Sequence, residues 1–289
     1  MRILLTGATG FLGRALTQTL LLRGHQVVAL SRRSDQPLGL AAGVEALPYT
    51  AQGAAAALEH GPVDAVIHAA CAYDRDGLTP AELVEANLSR PLEVALTCGT
   101  RIGRWVNLGT GLPPVTSGNA LAKDQFAQWL AYLPPSQLAP RVNLRLQHFY
   151  GPGDSPRKFP TLVARACLRR DPLDLTAGTQ RRDFLYVDDA ATAIQLACEA
   201  ELDGTWSQVD VGSGSAPTVR DFCERIRALA GGGELHFGAR PFRPSEPSLC
   251  VADTGTLERW GWRPGVGLDE GLRRLVDAER EAMTGGGQP

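Results

Sequence analysis

Apolar and polar positions alternate along the first half of the chain in two different rhythms. Short, continuously apolar runs predict strands that are buried on both faces, at 2–5, 25–30, 65–68, 105–108 and 142–147. Segments whose apolar residues recur every three or four positions predict helices, at 11–23, 55–60, 83–98 and 121–130. Strands that alternate with helices in this way predict a doubly wound parallel sheet.

The pattern loosens after Tyr150, where residues 151–160 are rich in glycine and proline and predict a loop. The elements predicted beyond it are helices at 161–169, 190–199, 221–230 and 269–283, and a strand at 184–187. This second half predicts a smaller lobe beside the first, with no internal repeat.

We therefore expect a Rossmann-type domain at 1–150, joined by a returning stretch near 182–212. A C-terminal substrate-binding lobe is expected from 151–181 and 213–283. Residues 284–289, at the glycine-rich C-terminus, are expected to form a disordered tail.

Composition narrows the class of protein. Of the 289 residues 44% are hydrophobic and 21% charged, which is ordinary for a globular protein, and the net charge of −2 argues against a nucleic-acid or membrane-surface binder. The six cysteines show no Cys-x-x-Cys pair and no histidine at ligand spacing, so we expect no disulfide framework and no metal site. With no evident signal peptide or membrane-length apolar run, a cytoplasmic location is expected.

Lysine is rare in this chain. Among 29 lysine and arginine residues only Lys123 and Lys158 are lysines, as a GC-rich genome would favour. A lysine that persists in such a background is expected to do something that arginine cannot.

A glycine-rich segment, TGATGFLG at 6–13, directly follows the first predicted strand and opens the first predicted helix. Glycines in this context permit a tight turn and close approach to a pyrophosphate, which the helix N-terminus then attracts. The predicted cofactor contacts are Gly7, Thr9, Gly10, Phe11, Leu12 and Gly13, with His68 at the end of the third predicted strand and Ala69 and Ala70 directly after it.

The end of the second strand indicates which dinucleotide is preferred. Cofactors without a 2′-phosphate usually meet a carboxylate there, whereas this chain has Ser31, Arg32 and Arg33. Guanidinium groups pair with a phosphate, so NADP(H) is favoured over NAD(H). The alternative is that these are two solvated arginines in an arginine-rich protein.

Several motifs occur together and in order: TGATGFLG, DAVIHAA (64–70), Asn87, YGPGD (150–154), RDFLYVDD (182–189), VGSG (211–214) and LERWGWRP (257–264). The ordered set resembles the NAD-dependent epimerase/dehydratase family, the extended short-chain dehydrogenases, over nearly the whole chain. The segments HAACAYDRDG, LRLQHFYGPGDSPRKF, LTAGTQRRDF and RPSEP are most similar to CDP-abequose and CDP-paratose synthases. That resemblance implies reduction of a nucleotide-linked 4-keto-6-deoxy sugar.

The resemblance also implies a substrate site and an assembly. Arg182 and Arg243 match the positions that hold the substrate diphosphate in this family. The full set of expected substrate contacts is Tyr73, Asn87, His148, Tyr150, Lys158, Arg182 and Arg243. A homodimer through the helices around 83–98 and 121–130 is likewise a family expectation.

The expected catalytic centre contains one anomaly. Family members carry a Ser or Thr and a Tyr-x-x-x-Lys pair, and here Thr110 and Lys123 fit the hydroxyl and the lysine. The tyrosine position holds Asn119. A carboxamide can donate a hydrogen bond to a ketone oxygen but cannot supply a proton near neutral pH.

Three explanations of Asn119 remain open. Another group, such as Tyr73 in the loop after 65–68 or a water chain, can supply the proton. Alternatively, the protein binds NADP(H) and a ligand with little redox activity, or the reaction needs no phenol. The leading hypothesis is an NADP(H)-dependent nucleotide-sugar reductase; the alternatives are a non-catalytic NADP(H)-binding sensor and a nucleotide-sugar epimerase or dehydratase.

Overall fold

The computed structural model describes residues 1–32 and 39–285. The chain divides into two compact units: Met1–Leu146, Ala190–Val211 and Gly255–Trp262 form the first, and Gln147–Asp189, Gly212–Thr254 and the residues from Arg263 onward form the second. No helix in the described ranges is both long enough and apolar enough to cross a membrane.

The first unit is built on a sheet of seven parallel strands. Its strands are β1 (Arg2–Thr6), β2 (Gln26–Ser31), β3 (Glu45–Pro48), β4 (Val63–His68), β5 (Ile102–Thr110), β6 (Arg141–Leu146) and β11 (Trp206–Val211). They lie in the order β11-β6-β5-β4-β1-β2-β3, so the strand order reverses beside β1. This is the predicted Rossmann-type α/β fold, which is confirmed.

The helices of this unit cover the sheet. They are α1 (Phe11–Leu22), α2 (Ala51–Glu59), α3 (Pro80–Val84), α4 (Arg90–Cys98), α5 (Gly118–Tyr132), most of α7 (Val187–Ala197) and α9 (Gly255–Arg259). A buried core of aliphatic side chains around Trp105 and Phe126 fills the space between sheet and helices. Burial of these apolar groups, together with the hydrogen bonds of the sheet, stabilises the unit.

The second unit contains short strand pairs and three longer helices. Its elements are β7 (His148–Tyr150), α6 (Phe159–Arg169), β8 (Pro172–Leu175), β9 (Arg181–Arg182), β10 (Phe184–Tyr186), α8 (Val219–Ala230), β12 (Glu234–Phe237), β13 (Leu249–Cys250) and α10 (Leu268–Gly285). Tyr150, Phe184, Tyr186 and Phe222 form the aromatic centre of its core, with Tyr150 packed edge-on against the other three.

Several element boundaries differ from the sequence predictions for identifiable reasons. The pattern missed β3 and β11, whose exposed polar residues interrupt the apolar run of an edge strand. Helix α2 begins four residues earlier than predicted, because the Thr50 hydroxyl accepts from the Gly53 N–H and caps it. Helix α10 extends to Gly285, into the segment predicted as a tail, and the remainder of that tail lies outside the described residues.

The predicted helix at 83–98 is three segments. Between α3 and α4 the residues Glu85–Ser89 form a π-helical turn, in which the Arg90 N–H donates to the carbonyl of Glu85, five positions back. Pro91 has no N–H to complete an α-helical bond to the carbonyl of Asn87, and the turn before it widens.

Candidate functional site

The glycine loop after β1 can form only because side chains are missing from it. Gly7 has a φ of +75°, and a Cβ there would lie 2.7 Å from the backbone nitrogen of Ala70. A Cβ at Gly13 would lie 2.0 Å from the Gly7 carbonyl oxygen. The loop is therefore closed against both helix α1 and the segment that follows β4.

Thr6 joins the ends of β1 and β4. Its hydroxyl oxygen accepts from the backbone N–H groups of Ala69 (3.1 Å) and Ala70 (3.0 Å) and lies 2.9 Å from Nδ1 of His68. Because both lone pairs of the oxygen face N–H groups, the hydroxyl proton points to Nδ1, which places the imidazole proton on Nε2.

His68 contacts the Thr6 hydroxyl that joins β1 to the segment after β4. Complete burial, and next the charge of Lys123, lower the pKa of His68 to about 3, so the ring is neutral near neutral pH. The structure thus gives His68 a supporting role for Thr6. Direct contact of His68 with a cofactor stays a prediction.

The residues around the loop fit the pyrophosphate of a nicotinamide dinucleotide. Helix α1 starts at Phe11 without a side-chain cap at Gly10, and its first turn has no acidic residue. The positive end of the helix is thus not neutralised by the helix's own side chains, which is the arrangement that attracts phosphate. Arg14, which the sequence reasoning missed, donates to the Thr9 carbonyl at 2.8 Å and adds a positive charge beside the loop.

Of the three residues predicted to select NADP(H), the structure describes Ser31 and Arg32. Ser31 ends β2, and its carbonyl accepts from the Tyr49 N–H at 2.9 Å. Arg32 follows it and is exposed, whereas Arg33 lies outside the described residues.

Thr110, Asn119 and Lys123 lie on adjoining elements of the first unit. Thr110 ends β5, and its hydroxyl accepts from the Leu112 N–H at 3.1 Å. Asn119 and Lys123 are one helical turn apart near the start of α5, so their side chains share a face. The Lys123 ammonium donates to the carbonyl of Leu108 in β5 at 2.5 Å, which fixes α5 to that strand.

The carboxamide of Asn119 is oriented by Ser117. The Ser117 hydroxyl donates to Oδ1 of Asn119 at 3.0 Å and accepts from the Ala120 N–H at 3.2 Å. No described residue accepts a hydrogen bond from Nδ2 of Asn119. The Nδ2 group, which is the part of the carboxamide that can donate to a carbonyl oxygen, is therefore available for a ligand.

Two asparagines brace the sheet beneath this centre, and the sequence reasoning missed both. Nδ2 of Asn107 in β5 donates to Oδ1 of Asn143 in β6 at 2.7 Å, and both residues are buried. A Cβ at Gly109 would lie 2.5 Å from that Oδ1, so the glycine lets the pair form. The available signal was an asparagine in each of two otherwise apolar strands.

Asn87, predicted to contact substrate, holds a loop. It is 1% exposed, and its amide accepts from the Ala72 N–H (2.8 Å) and donates to the Ala72 carbonyl (2.9 Å). Both backbone groups of one residue are thereby satisfied. Tyr73, next in the chain, is half-buried and begins a short 3₁₀ turn at Asp74–Asp76.

In the second unit, Arg182 lies in a polar cluster with Glu246. The guanidinium, in a residue 5% exposed, donates to Oε1 of Glu246 at 3.0 Å and to the Arg181 carbonyl at 2.9 Å. Gln180 donates to the same carboxylate oxygen at 3.2 Å. Arg243 is exposed, and its carbonyl accepts from the Glu246 N–H at 3.0 Å, so one short turn joins the two predicted arginines.

The other predicted substrate contacts of this unit have different surroundings. Burial, then the charges of Arg182 and Lys158, lower the pKa of His148 to about 4, and Nδ1 of His148 is buried with no hydrogen-bond partner in the described part of the chain. Tyr150 is 1% exposed and donates to the Leu268 carbonyl at 3.2 Å, so it belongs to the core. The Lys158 ammonium lies 5.8 Å from the centre of the Phe149 ring.

Acidic residues of the RDFLYVDD motif organise loops of this unit. The buried carboxylate of Asp183 accepts from the N–H and hydroxyl of Ser213 and from the N–H groups of Gly214 and Ala252. The Asp189 carboxylate accepts from the N–H groups of Gly265 and Val266, both at 2.9 Å. Neither arrangement was visible in the sequence, because the donors lie far along the chain.

Comparison with known proteins adds independent findings. The model of the NAD dependent epimerase/dehydratase family matches residues 3–212. The chain is 24% identical to a CDP-abequose synthase of Salmonella muenchen over 95% of this chain and 97% of that protein. It is 22% identical to a dTDP-4-dehydro-6-deoxyglucose reductase of Escherichia coli over 58% of this chain and 54% of that protein. A solved structure of Thermus thermophilus UDP-glucose 4-epimerase complexed with NAD superposes with a TM-score of 0.84 and 26% identity, over 98% of this chain and 100% of that one.

Proposed function

Because the chain belongs to the NAD-dependent epimerase/dehydratase family, as its motifs predict, we propose that it is an NADP(H)-dependent reductase of a nucleotide-activated 4-keto-6-deoxy sugar with an atypical active site. The observation that carries the proposal is the placement of Thr110 at the end of β5, with Asn119 and Lys123 on one face of α5. The prediction that the chain is an enzyme agrees with its named relatives, all of which are nucleotide-sugar enzymes.

The nicotinamide cofactor, when bound, supplies the hydride. For this chain we assign the pyrophosphate to the uncapped start of α1 and the nicotinamide ribose hydroxyls to the Lys123 ammonium. Arg32 supports a preference for the 2′-phosphate of NADP(H), because it is an exposed cation at the end of β2 where a carboxylate would repel that phosphate.

Asn119 and Thr110 are the groups that we assign to the ketone oxygen. The Nδ2 group of Asn119 donates a hydrogen bond to the oxygen as negative charge develops there, and the Thr110 hydroxyl provides a second donor. The proton itself then comes from the Tyr73 phenol or from water, since a carboxamide cannot release one near neutral pH.

The substrate diphosphate is assigned to Arg182 and Arg243. Two planar guanidinium groups suit a diphosphate, and the turn that joins their segments through Glu246 supports a shared role. His148 also stays among the proposed sugar contacts, since its buried Nδ1 lacks a partner in the described chain. Asn87 and Tyr150 instead hold the backbone and the core, so we assign them indirect roles.

The direct test compares cofactors and substrates on the purified protein. We expect NADPH to bind at least tenfold more tightly than NADH, and Arg32→Glu to remove most of that preference. We also expect NADPH oxidation with a 4-keto-6-deoxy sugar linked to CDP, UDP or dTDP, monitored by absorbance. The reductase proposal fails if none of these sugars is reduced.

A non-catalytic NADP(H)-binding protein is the second candidate, and Asn119 at the tyrosine position is the observation that favours it. Calorimetry with NADPH and with CDP, UDP and dTDP separates the two. Tight binding of both cofactor and nucleotide supports the enzyme, whereas binding of cofactor alone supports the sensor. An epimerase or dehydratase would instead retain an oxidised cofactor through purification.

We also propose a cytoplasmic homodimer. Helices α4 and α5 expose large apolar side chains, namely Leu96, Leu121, Trp129 and Tyr132. A molar mass in solution of twice that of the chain, reduced to one chain by Trp129→Glu, tests the assembly.

A further inference from the structure

Hydrogen bonds from several residues tie the segment between β4 and α3 to other parts of the first unit. Ala69 and Ala70 donate to Thr6, and Ala72 is held by Asn87. Asp74 adds a further tie, because its carboxylate accepts from the backbone N–H groups of Gly118 (2.7 Å) and Asn119 (2.8 Å).

Asp74 thereby closes the N-terminus of helix α5. The first turn of a helix has N–H groups without partners inside the helix, and a negative charge there also opposes the positive end of the helix dipole. Asp74 accepts from Gly118 and Asn119, and Ser117 accepts from Ala120. A Cβ at Gly118 would lie 3.1 Å from Cδ1 of Leu83 and 3.3 Å from both carboxylate oxygens of Asp74, so the glycine leaves this approach free of tight contacts.

These hydrogen bonds also fix the position of the Tyr73 backbone. Its two neighbours in the chain are both anchored, Ala72 by Asn87 and Asp74 by the first turn of α5. The backbone of Tyr73 is therefore fixed relative to the backbone of Asn119.

We infer that Asp74 is a positioning residue of the active site, which locks the Tyr73 loop onto the turn of α5 that carries Asn119. The inference rests on the proposed function, because it assigns to Asp74 the alignment of the two side chains that serve the ketone oxygen and its proton.

Hydrogen exchange tests the connection without any substrate. In Asp74→Ala we expect the amides of Gly118 and Asn119, and those of residues 70–77, to exchange at least tenfold faster than in the native chain. The matched control is Thr218→Ala, which removes the N-cap of α8 in the second unit and should accelerate exchange only there. Unchanged exchange at 70–77 in Asp74→Ala would overturn the connection.

A double-mutant cycle tests the positioning role. We expect Asp74→Ala to lower kcat by about tenfold while the Kd for NADPH changes less than twofold, and Asp74→Asn, which keeps one acceptor oxygen, to lie between. Tyr73→Phe should lower kcat in the native background and have little further effect in the Asp74→Ala background.

The outcomes separate this inference from the proposed function. Additive effects of Tyr73→Phe and Asp74→Ala on kcat would overturn the positioning role even if the reductase proposal holds. If no reductase activity exists, the exchange experiment still decides whether Asp74 locks the loop, while the reductase proposal fails on its own test.

Discussion

Single residues decide how closely the segments of the nucleotide site can approach one another. Gly7 and Gly24 have nearly the same backbone conformation, with φ of +75° and +77°. They differ in surroundings, since a Cβ at Gly7 would collide with the backbone of Ala70 whereas a Cβ at Gly24 would meet no atom within 4 Å. The sequence marks both as glycines, but only the structure separates a turn from a close approach.

This difference gives a matched pair of variants. Gly24→Ala introduces only the backbone strain of a left-handed conformation, so we expect a loss of about 1 kcal/mol in the free energy of unfolding and an unchanged Kd for NADPH. Gly7→Ala must also push the Ala70 segment away, and we expect a larger loss together with at least tenfold weaker NADPH binding. Urea unfolding and fluorescence titration of both variants measure this, and equal effects would contradict the close approach.

At the scale of elements, the run from α3 to α4 shows how one residue type alters a helix. The apolar spacing predicts one helix, and the missing N–H of Pro91 widens the turn before it into a π-helix. That turn contains Asn87, whose amide then satisfies both backbone groups of Ala72. A periodicity of three to four residues cannot reveal such a turn, because the apolar pattern continues through it.

Removal of the Asn87 carboxamide is expected to lower both stability and activity. Asn87→Ala leaves the half-buried N–H and carbonyl of Ala72 without those partners, so we expect a loss of about 1–3 kcal/mol in the free energy of unfolding and a lower kcat. The control, Thr97→Ala on α4, removes an exposed hydroxyl that donates to the Glu93 carbonyl, and should change stability by less than about 0.5 kcal/mol. Comparable losses in the two variants would show that Asn87 does not hold the loop.

At the scale of the molecule, each unit keeps a neutral histidine inside. Burial lowers the pKa of His68 in the first unit to about 3 and of His148 in the second to about 4, from an ordinary value of 6.5. The unfolded chain therefore binds protons below pH 6.5 that the folded chain does not. Stability is full above that pH and falls as the pH drops towards the folded values.

Acid sensitivity is thus expected at mild pH. Each histidine should lower the free energy of unfolding by roughly 1 kcal/mol between pH 7.5 and 5.5. Urea unfolding at the two pH values should show this difference in the native chain and a smaller one in His68→Gln and in His148→Gln. An undiminished pH difference in both variants would mean that other groups cause it.

The amino-acid sequence by itself determined the α/β fold, the family and the glycine loop, because hydrophobic periodicity and ordered motifs are local properties of the chain. Through its resemblance to the family it also indicated Thr110, Asn119 and Lys123 as the catalytic residues, which stays a prediction. Only the tertiary structure decided which side chains hold the surrounding segments in place. Thr6 accepts from the segment after β4, Asp74 accepts from the start of α5, and Glu246 accepts from Arg182. Each of these contacts joins residues that are far apart in the chain. Thr6 and Asp74 bond to backbone groups, and Glu246 bonds to a guanidinium group, so no local sequence pattern distinguishes the three from ordinary polar residues.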